Sequence, residues 1–121
     1  MKKLSEIISS YQKYGLTSAT NADELILLVD KAIEFLNDCH NNDLAVIGID
    51  GFEIIKGFIK PRIDIIADFS NLEVHDWESY KKRCYSSALE FLQHFKEEAN
   101  IGYMFVVIGR QEYDIQKDIK F

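Results

Sequence analysis

The stretch LAVIGIDGFEIIKGFIKPRIDIIADFS (residues 44–70) decides the fold. LAVIGI (44–49) and FEIIK (52–56) flank Asp50-Gly51. An Asp-Gly pair between two strand-like runs signals a hairpin, because both residues tolerate positive φ. PRIDIIADFS (61–70) follows as a third strand. Pro61 has no N–H to give, which suits a strand's first residue or a sheet edge. Alternation sends Ile63, Ile65, Ala67 and Phe69 to one face and Arg62, Asp64, Ile66 and Asp68 to the other. Three such strands in succession predict an antiparallel meander.

The flanking segments read as helices. Leu4, Ile7, Ile8 and Tyr11 follow i, i+3, i+4, i+7, a short amphipathic helix stopped near Gly15. Asn21 stands three residues before Glu24, a variant of the capping box that opens a second helix running to about residue 39. Its core stripe is Leu25, Leu28, Val29, Ala32, Ile33 and Leu36. Asp23, Asp30, Glu34 and Asp38 gather on the opposite side, with Leu27 among them, pointing away from the core. From about 76 to 97 the helical period returns, with Asp76 as N-cap and Trp77, Tyr80, Cys84, Ala88, Phe91 and Phe95 as the buried stripe. YMFVVI (103–108) reads as a buried strand, and the tail alternates weakly, compatible with a short edge strand. The expected order is α-α-β-β-β-α-β, an α+β fold with helices packed on one face of the sheet.

The totals bound the class. At 121 residues, 47% hydrophobic, the chain reads as one domain, residues 1–121, with surface enough to bury a core. It shows no signal-peptide pattern and no apolar run of membrane length. Cys39 and Cys84 lack CxxC spacing, so they read as reduced and partly buried in a cytoplasmic protein.

Chemistry is hard to place. Four residues along a strand set Asp64 and Asp68 about 13 Å apart, too far for a catalytic carboxylate couple or one metal ion. His40, His75, His94 and the two cysteines supply ligand types without ligand spacing. There is no GxSxG and no glycine-rich phosphate cradle opening a helix. Catalytic residues, metal ligands and cofactor-binding residues are accordingly expected to be none. The rival readings are a small ligand-binding or regulatory domain with a pocket formed by the meander, Trp77 and Tyr80, and an enzyme in which His40, His75 or Cys84 meets carboxylates.

Charge is the more informative signal. Twenty acidic residues against fourteen basic give −6, which argues against nucleic acid as a direct partner. Residues 20–53 hold eight acids and one base, Lys31, a local −7, while the remaining residues carry +1. Solvated helix faces usually interleave lysines. A one-signed segment instead suggests a cationic partner. The candidate contact residues are Asp23, Leu27, Asp30, Glu34, Asp38, Asp50 and Glu53, with Asp64 and Asp68 second.

AVIGIDGFEIIKGFIKPRIDIIADFS (45–70), between an N-terminal helix and a Trp-led helix, resembles small bacterial immunity proteins of polymorphic and contact-dependent growth-inhibition toxin systems. The likeness lies in GIDGF (48–52) and PRIDIIADFS (61–70). It implies a non-enzymatic cytoplasmic protein, without cofactor, that binds one cognate toxin domain, often a nuclease, and blocks its active site or docking surface. Gly48, Gly51, Ile63, Ile65, Ala67 and Phe69 each have a turn or core explanation, so the resemblance assigns no contact residue.

Overall fold

The longest strand runs straight through Asp50-Gly51. In the computed structural model, which describes residues 1–16 and 24–119, this strand (β2, Leu44–Ile55) lies between β3 (Phe58–Asp68) and β4 (Ile101–Gly109). β4 pairs on its other side with β1 (Leu27–Leu28), giving the antiparallel order β1-β4-β2-β3. The helices are α1 (Leu4–Tyr11), continued by a 3-10 turn at Gln12–Tyr14, α2 (Val29–Asn41), α3 (Trp77–His94) and α4 (Arg110–Ile119). The fold is α+β, with four helices and four strands among the described residues. It departs from the expected meander and element order, because β4 docks on the free side of β2 instead of extending the sheet beyond β3.

The hairpin turns at Lys56-Gly57, where φ is +37° and +84° and Ile55 pairs with Phe58. Two consecutive positive φ values make the two-residue connection whose twist matches the flanking strands. Asp50-Gly51 is not the turn, because β2 is paired on both sides there. Gly51 serves close packing instead. A Cβ at this position would lie 2.4 Å from Ile65 Cγ2 and 2.9 Å from the Ile65 carbonyl oxygen.

Register jumps at the same place, from Asp50↔Ile66 to Gly51↔Arg62. Residues 63–65 therefore have no partner on β2 and form a bulge. Ile65 tucks over Gly51 into the core, whereas Ile63, expected inside, is 85% exposed. A second irregularity, between Val46 and Gly48 opposite β4, lets Val46 and Ile49, three residues apart, both face the main core, while Ala45 and Ile47 join a separate cluster.

The second helix begins at Val29, seven residues later than a cap at Asn21 predicts, and Asn21 itself lies outside the described residues. Leu27 and Leu28 are drawn into the sheet by pairing with Tyr103 and Gly102. Leu27 is thus fully buried, not an exposed anchor among carboxylates, and the residue turned outward is Leu28, at 47%. α3 starts as expected, with the Asp76 carboxylate accepting from the Ser79 N–H at 2.8 Å. The tail is a helix, not an edge strand. The Glu112 carboxylate accepts the Gly109 N–H at 3.0 Å, the half of a capping box that a glutamate three residues into a helix supplies.

The main core lies between α1, α2 and α3 and one face of the sheet. Phe35 of α2 stacks on Phe105 of β4, ring centroids 5.4 Å apart, and Tyr11 of α1 meets Phe35 edge-on. Beyond the last β2–β3 pair, Gly48↔Asp68, a second cluster joins Ala45, Ile47 and Ile108 to Trp77, Tyr80 and Cys84 of α3 and Tyr113 of α4.

Candidate protein-binding surfaces

The acids of residues 24–53 are divided among several places. Asp30, Glu34 and Asp38 recur every fourth residue on α2, along one exposed stripe. Asp30 enters no side-chain hydrogen bond or ion pair among the described residues. Glu34 pairs with Lys31 at 2.9 Å, and Lys31 also lies 4.1 Å over the Tyr14 ring. Asp38 accepts the Tyr11 hydroxyl, tying α2 to α1. That carboxylate and burial both push the tyrosine's pKa up, burial the more strongly. Asp23 lies outside the described residues.

Asp43, unremarked in the sequence beyond its charge, is structural. It sits at φ +61° after α2 and accepts Trp77 Nε1–H and the Lys81 ammonium, each at 2.8 Å. Lys81 and then the indole hold its carboxyl below the usual carboxylate range. The signal available in the sequence was a single acid in the short turn after a helix, where αL-tolerant residues are favoured.

Asp50 and Glu53 do not join the helical stripe. Their parity along β2 is opposite, so they project to opposite faces of the sheet. Glu53 shares the core-side face at the hairpin end, in register with Lys60 and Ile101. Asp50 lies on the far face, in register with Ile66 and Met104. The sheet therefore stands between Asp50 and α2.

Asp64 and Asp68 are engaged locally. Arg62 grips Asp64 through two parallel hydrogen bonds of 2.8 and 2.7 Å and reaches Glu98 at 3.3 Å. The guanidinium holds the Asp64 carboxyl below its usual range. Asp68 accepts the Ser70 N–H at 2.8 Å, closing the end of β3, and Ser70 lowers its pKa likewise.

The sequence reading missed the far face of the sheet. Gly48, Asp50, Phe52 and Ile54 of β2 share it with Gly102, Met104 and Val106 of β4 and with Ile66 and Asp68 of β3. Glycine surroundings confirm the sidedness: a Cβ on Gly48 would lie 3.5 Å from the Val106 side chain, and one on Gly102 would lie 3.5 Å from Ile54 Cδ1 and closer still to Ile26 Cγ2 and Leu16 Cδ1, at 2.6 and 3.0 Å, so these two side chains cover the face at that end. Ile66 and Val106 stay 52% and 43% exposed. The available signal was that AVIGIDGFEII is apolar at both parities, unlike a strand with one wet face.

The two thiols and His40 are shifted by burial. Burial pushes the thiols of Cys39 and Cys84 up to about 12 and about 11, leaving both protonated at neutral pH. His40 stacks on Tyr85 at 4.3 Å, and burial, with Lys81, lowers its pKa. Among the described residues no three His, Cys, Asp or Glu side chains come together as a metal site. Trp77 is buried, its indole N–H donating to Asp43 at 2.8 Å. A concavity of about 310 Å³ does lie beside Tyr80, between residues 70–74 and Tyr113 and Gln116 of α4.

No known protein-family profile matches the chain, and no curated protein sequence does so either. Among the described residues no helix is long and apolar enough to cross a membrane.

Proposed function

We propose that this chain is an immunity-type protein that neutralises a cognate toxin domain by tight stoichiometric binding, without turnover or cofactor, in the cytoplasm. The observation that carries the reading is the exposed stripe of Asp30, Glu34 and Asp38 on α2, with Lys31 as its one basic neighbour on that helix. A one-signed helix face costs stability by self-repulsion and accelerates encounter with an oppositely charged partner. A nuclease domain with a basic cleft for phosphate backbones is such a partner, and an acidic occupant of that cleft would block it. The resemblance of residues 45–70 to immunity proteins points the same way.

The test is co-expression with the toxin domain encoded beside this chain's gene, followed by binding kinetics. Reversing Asp30 and Glu34 to Lys should slow association severalfold at 20 mM salt and much less at 500 mM, where the Debye length is only a few ångströms. Association unchanged at 20 mM would remove the stripe from the reading.

A second reading, binding of a small molecule, is favoured by the concavity beside Tyr80, whose volume of about 310 Å³ is at the lower end of ligand pockets. The Tyr113 hydroxyl donates to the Val74 carbonyl at 3.2 Å. The polar groups left for a ligand are then those of residues 70–73 and Gln116. Thermal stabilisation by a metabolite panel, abolished by Tyr113→Ala, would support it over the first.

A further inference from the structure

The open face of the sheet is apolar where a solvated face would alternate with polar residues. Ile66 of β3 and Val106 of β4 are exposed and Met104 is half-buried beside them, while Phe52 and Ile54 of β2 are half-buried at the end of the face where Leu16 and Ile26 lie over Gly102. Gly48 keeps the surface low beside Val106. In the middle stands Asp50, in register with Ile66 on one side and Met104 on the other, with no ion pair or side-chain hydrogen bond among the described residues. No lysine or arginine shares these register positions. The second acid, Asp68, is engaged by Ser70 at the rim.

This combination selects its occupant. An apolar cover would strip water from Asp50 and leave a carboxylate without a partner, a costly state. A second copy docked face to face about a two-fold axis would bring two Asp50 carboxylates toward each other. A basic protein satisfies both demands. The aliphatic stem of an arginine can lie on Ile66 and Met104 while its weakly hydrated guanidinium meets Asp50.

We propose that this face is the centre of the interface with a basic protein partner, which sets an arginine against Asp50 inside a ring of apolar contacts. The three strands and six residues involved span about 20 by 10 Å, on the order of 200 Å², against about 800 Å² per partner in a specific interface. The face is then the desolvated core of a larger contact. The acids of α2, across the sheet, act on encounter and not on the bound contact. The proposal rests on the toxin-neutralising reading only for the identity of the partner.

Two arms test it. In the first, the ¹⁵N-labelled full chain is titrated with N-acetyl-arginine amide and, as its uncharged twin, N-acetyl-citrulline amide. Amide shifts should concentrate at residues 48–52, 66–68 and 104–106, be absent with citrulline, and shrink about fivefold in Asp50→Asn. Shifts that are absent, that follow the acids of α2, or that persist in Asp50→Asn overturn the proposal. In the second, the toxin domain encoded beside the gene is the probe. Asp50→Asn and Val106→Ser should each speed dissociation about tenfold or more, as central contacts do, with folding unchanged by circular dichroism. Neutralisation with dissociation unchanged in both variants discards the face and keeps the neutralising function. A chain that neutralises no such domain yet passes the arginine titration keeps the face and loses that function.

Discussion

The two faces of one sheet are built from alternate residues of the same three strands, and they differ in what completes them. On the inner face, Ile49, Ile65, Tyr103 and Phe105 are fully covered by helices, and Phe105 stacks on Phe35. One residue further along each strand, Asp50, Ile66, Met104 and Val106 have comparable apolar bulk around a carboxylate and remain partly or largely open. Composition alone therefore does not separate core from interface in this chain. What separates them is how far the polypeptide returns to cover the face: on the outer one the cover stops short of Ile66 and Val106, with Leu16 and Ile26 over Gly102 at one end and the Trp77 cluster over Ala45 and Ile108 at the other.

The sharpest way to break that comparison is to truncate neighbours on β4. Phe105→Ala should cost about 3–5 kcal/mol, by lost burial and by the cavity left against Phe35. Val106→Ser should stay within about 0.5 kcal/mol, as exposed substitutions do. Urea denaturation of the two variants measures the contrast. Equal losses would mean that the outer face is as well packed as the inner one.

Two glycines on β2 offer the same contrast with added volume. Gly51→Ala drives a Cβ into the Ile65 side chain and carbonyl at the bulge, where backbone must give way, and should cost about 2–3 kcal/mol. Gly48→Ala meets Val106 at ordinary contact distance and should be neutral within about 0.5 kcal/mol. Thermal melts suffice, since about 1 kcal/mol moves the midpoint of a domain of this size by several degrees.

These glycines also mark where sequence reading stops. Local chemistry was legible: the Asp76 cap acts on a backbone group three residues away, and the periods of α1, α3 and the strands follow from side-chain direction. Choices settled by distant partners were not. Asp50-Gly51 has the better turn composition, yet pairing with β4 keeps it extended and the turn moves to Lys56-Gly57. LILL (25–28) fits a helix as well as a strand, and two pairs with β4, some seventy-five positions away, decide that Leu27 is core. The charge excess of residues 20–53 was countable in advance, but not that the sheet would come between Asp50 and α2 or that Asp43 would serve Trp77 and Lys81.

Asp43 and Asp50 extend the comparison to two acids of one segment, the first spent on the fold and the second unspent. Asp43→Asn keeps an acceptor for the indole and tolerates the left-handed backbone, so it isolates the charge; about 1 kcal/mol should be lost at pH 7 from this partly exposed pair. The folded-state pKa of Asp43 is depressed, chiefly by Lys81. Its contribution is therefore fully present above the ordinary carboxylate value of 3.8 and is lost as pH falls through the lower folded value. The stability difference between wild type and Asp43→Asn should accordingly close toward pH 2, measured by urea denaturation along a pH series. A gap that persists in acid would assign the loss to packing.

The smallest effect should have the opposite sign. At Asp50 a carboxylate occupies a central strand, where aspartate is disfavoured, between apolar cross-strand neighbours that offer it no partner. Asp50→Thr replaces it with a β-branched residue suited to the pleated surface and should stabilise the free protein by about 0.5 kcal/mol, a rise of a few degrees in melting temperature. Inner-face substitutions trade away packing that the fold uses. Here the fold is relieved of a charge, and the loss is expected in binding, the usual relation between stability and function at a site kept for a partner. A variant destabilised by Asp50→Thr would show that the carboxylate already serves the fold, and the two faces would then differ less than their exposure suggests.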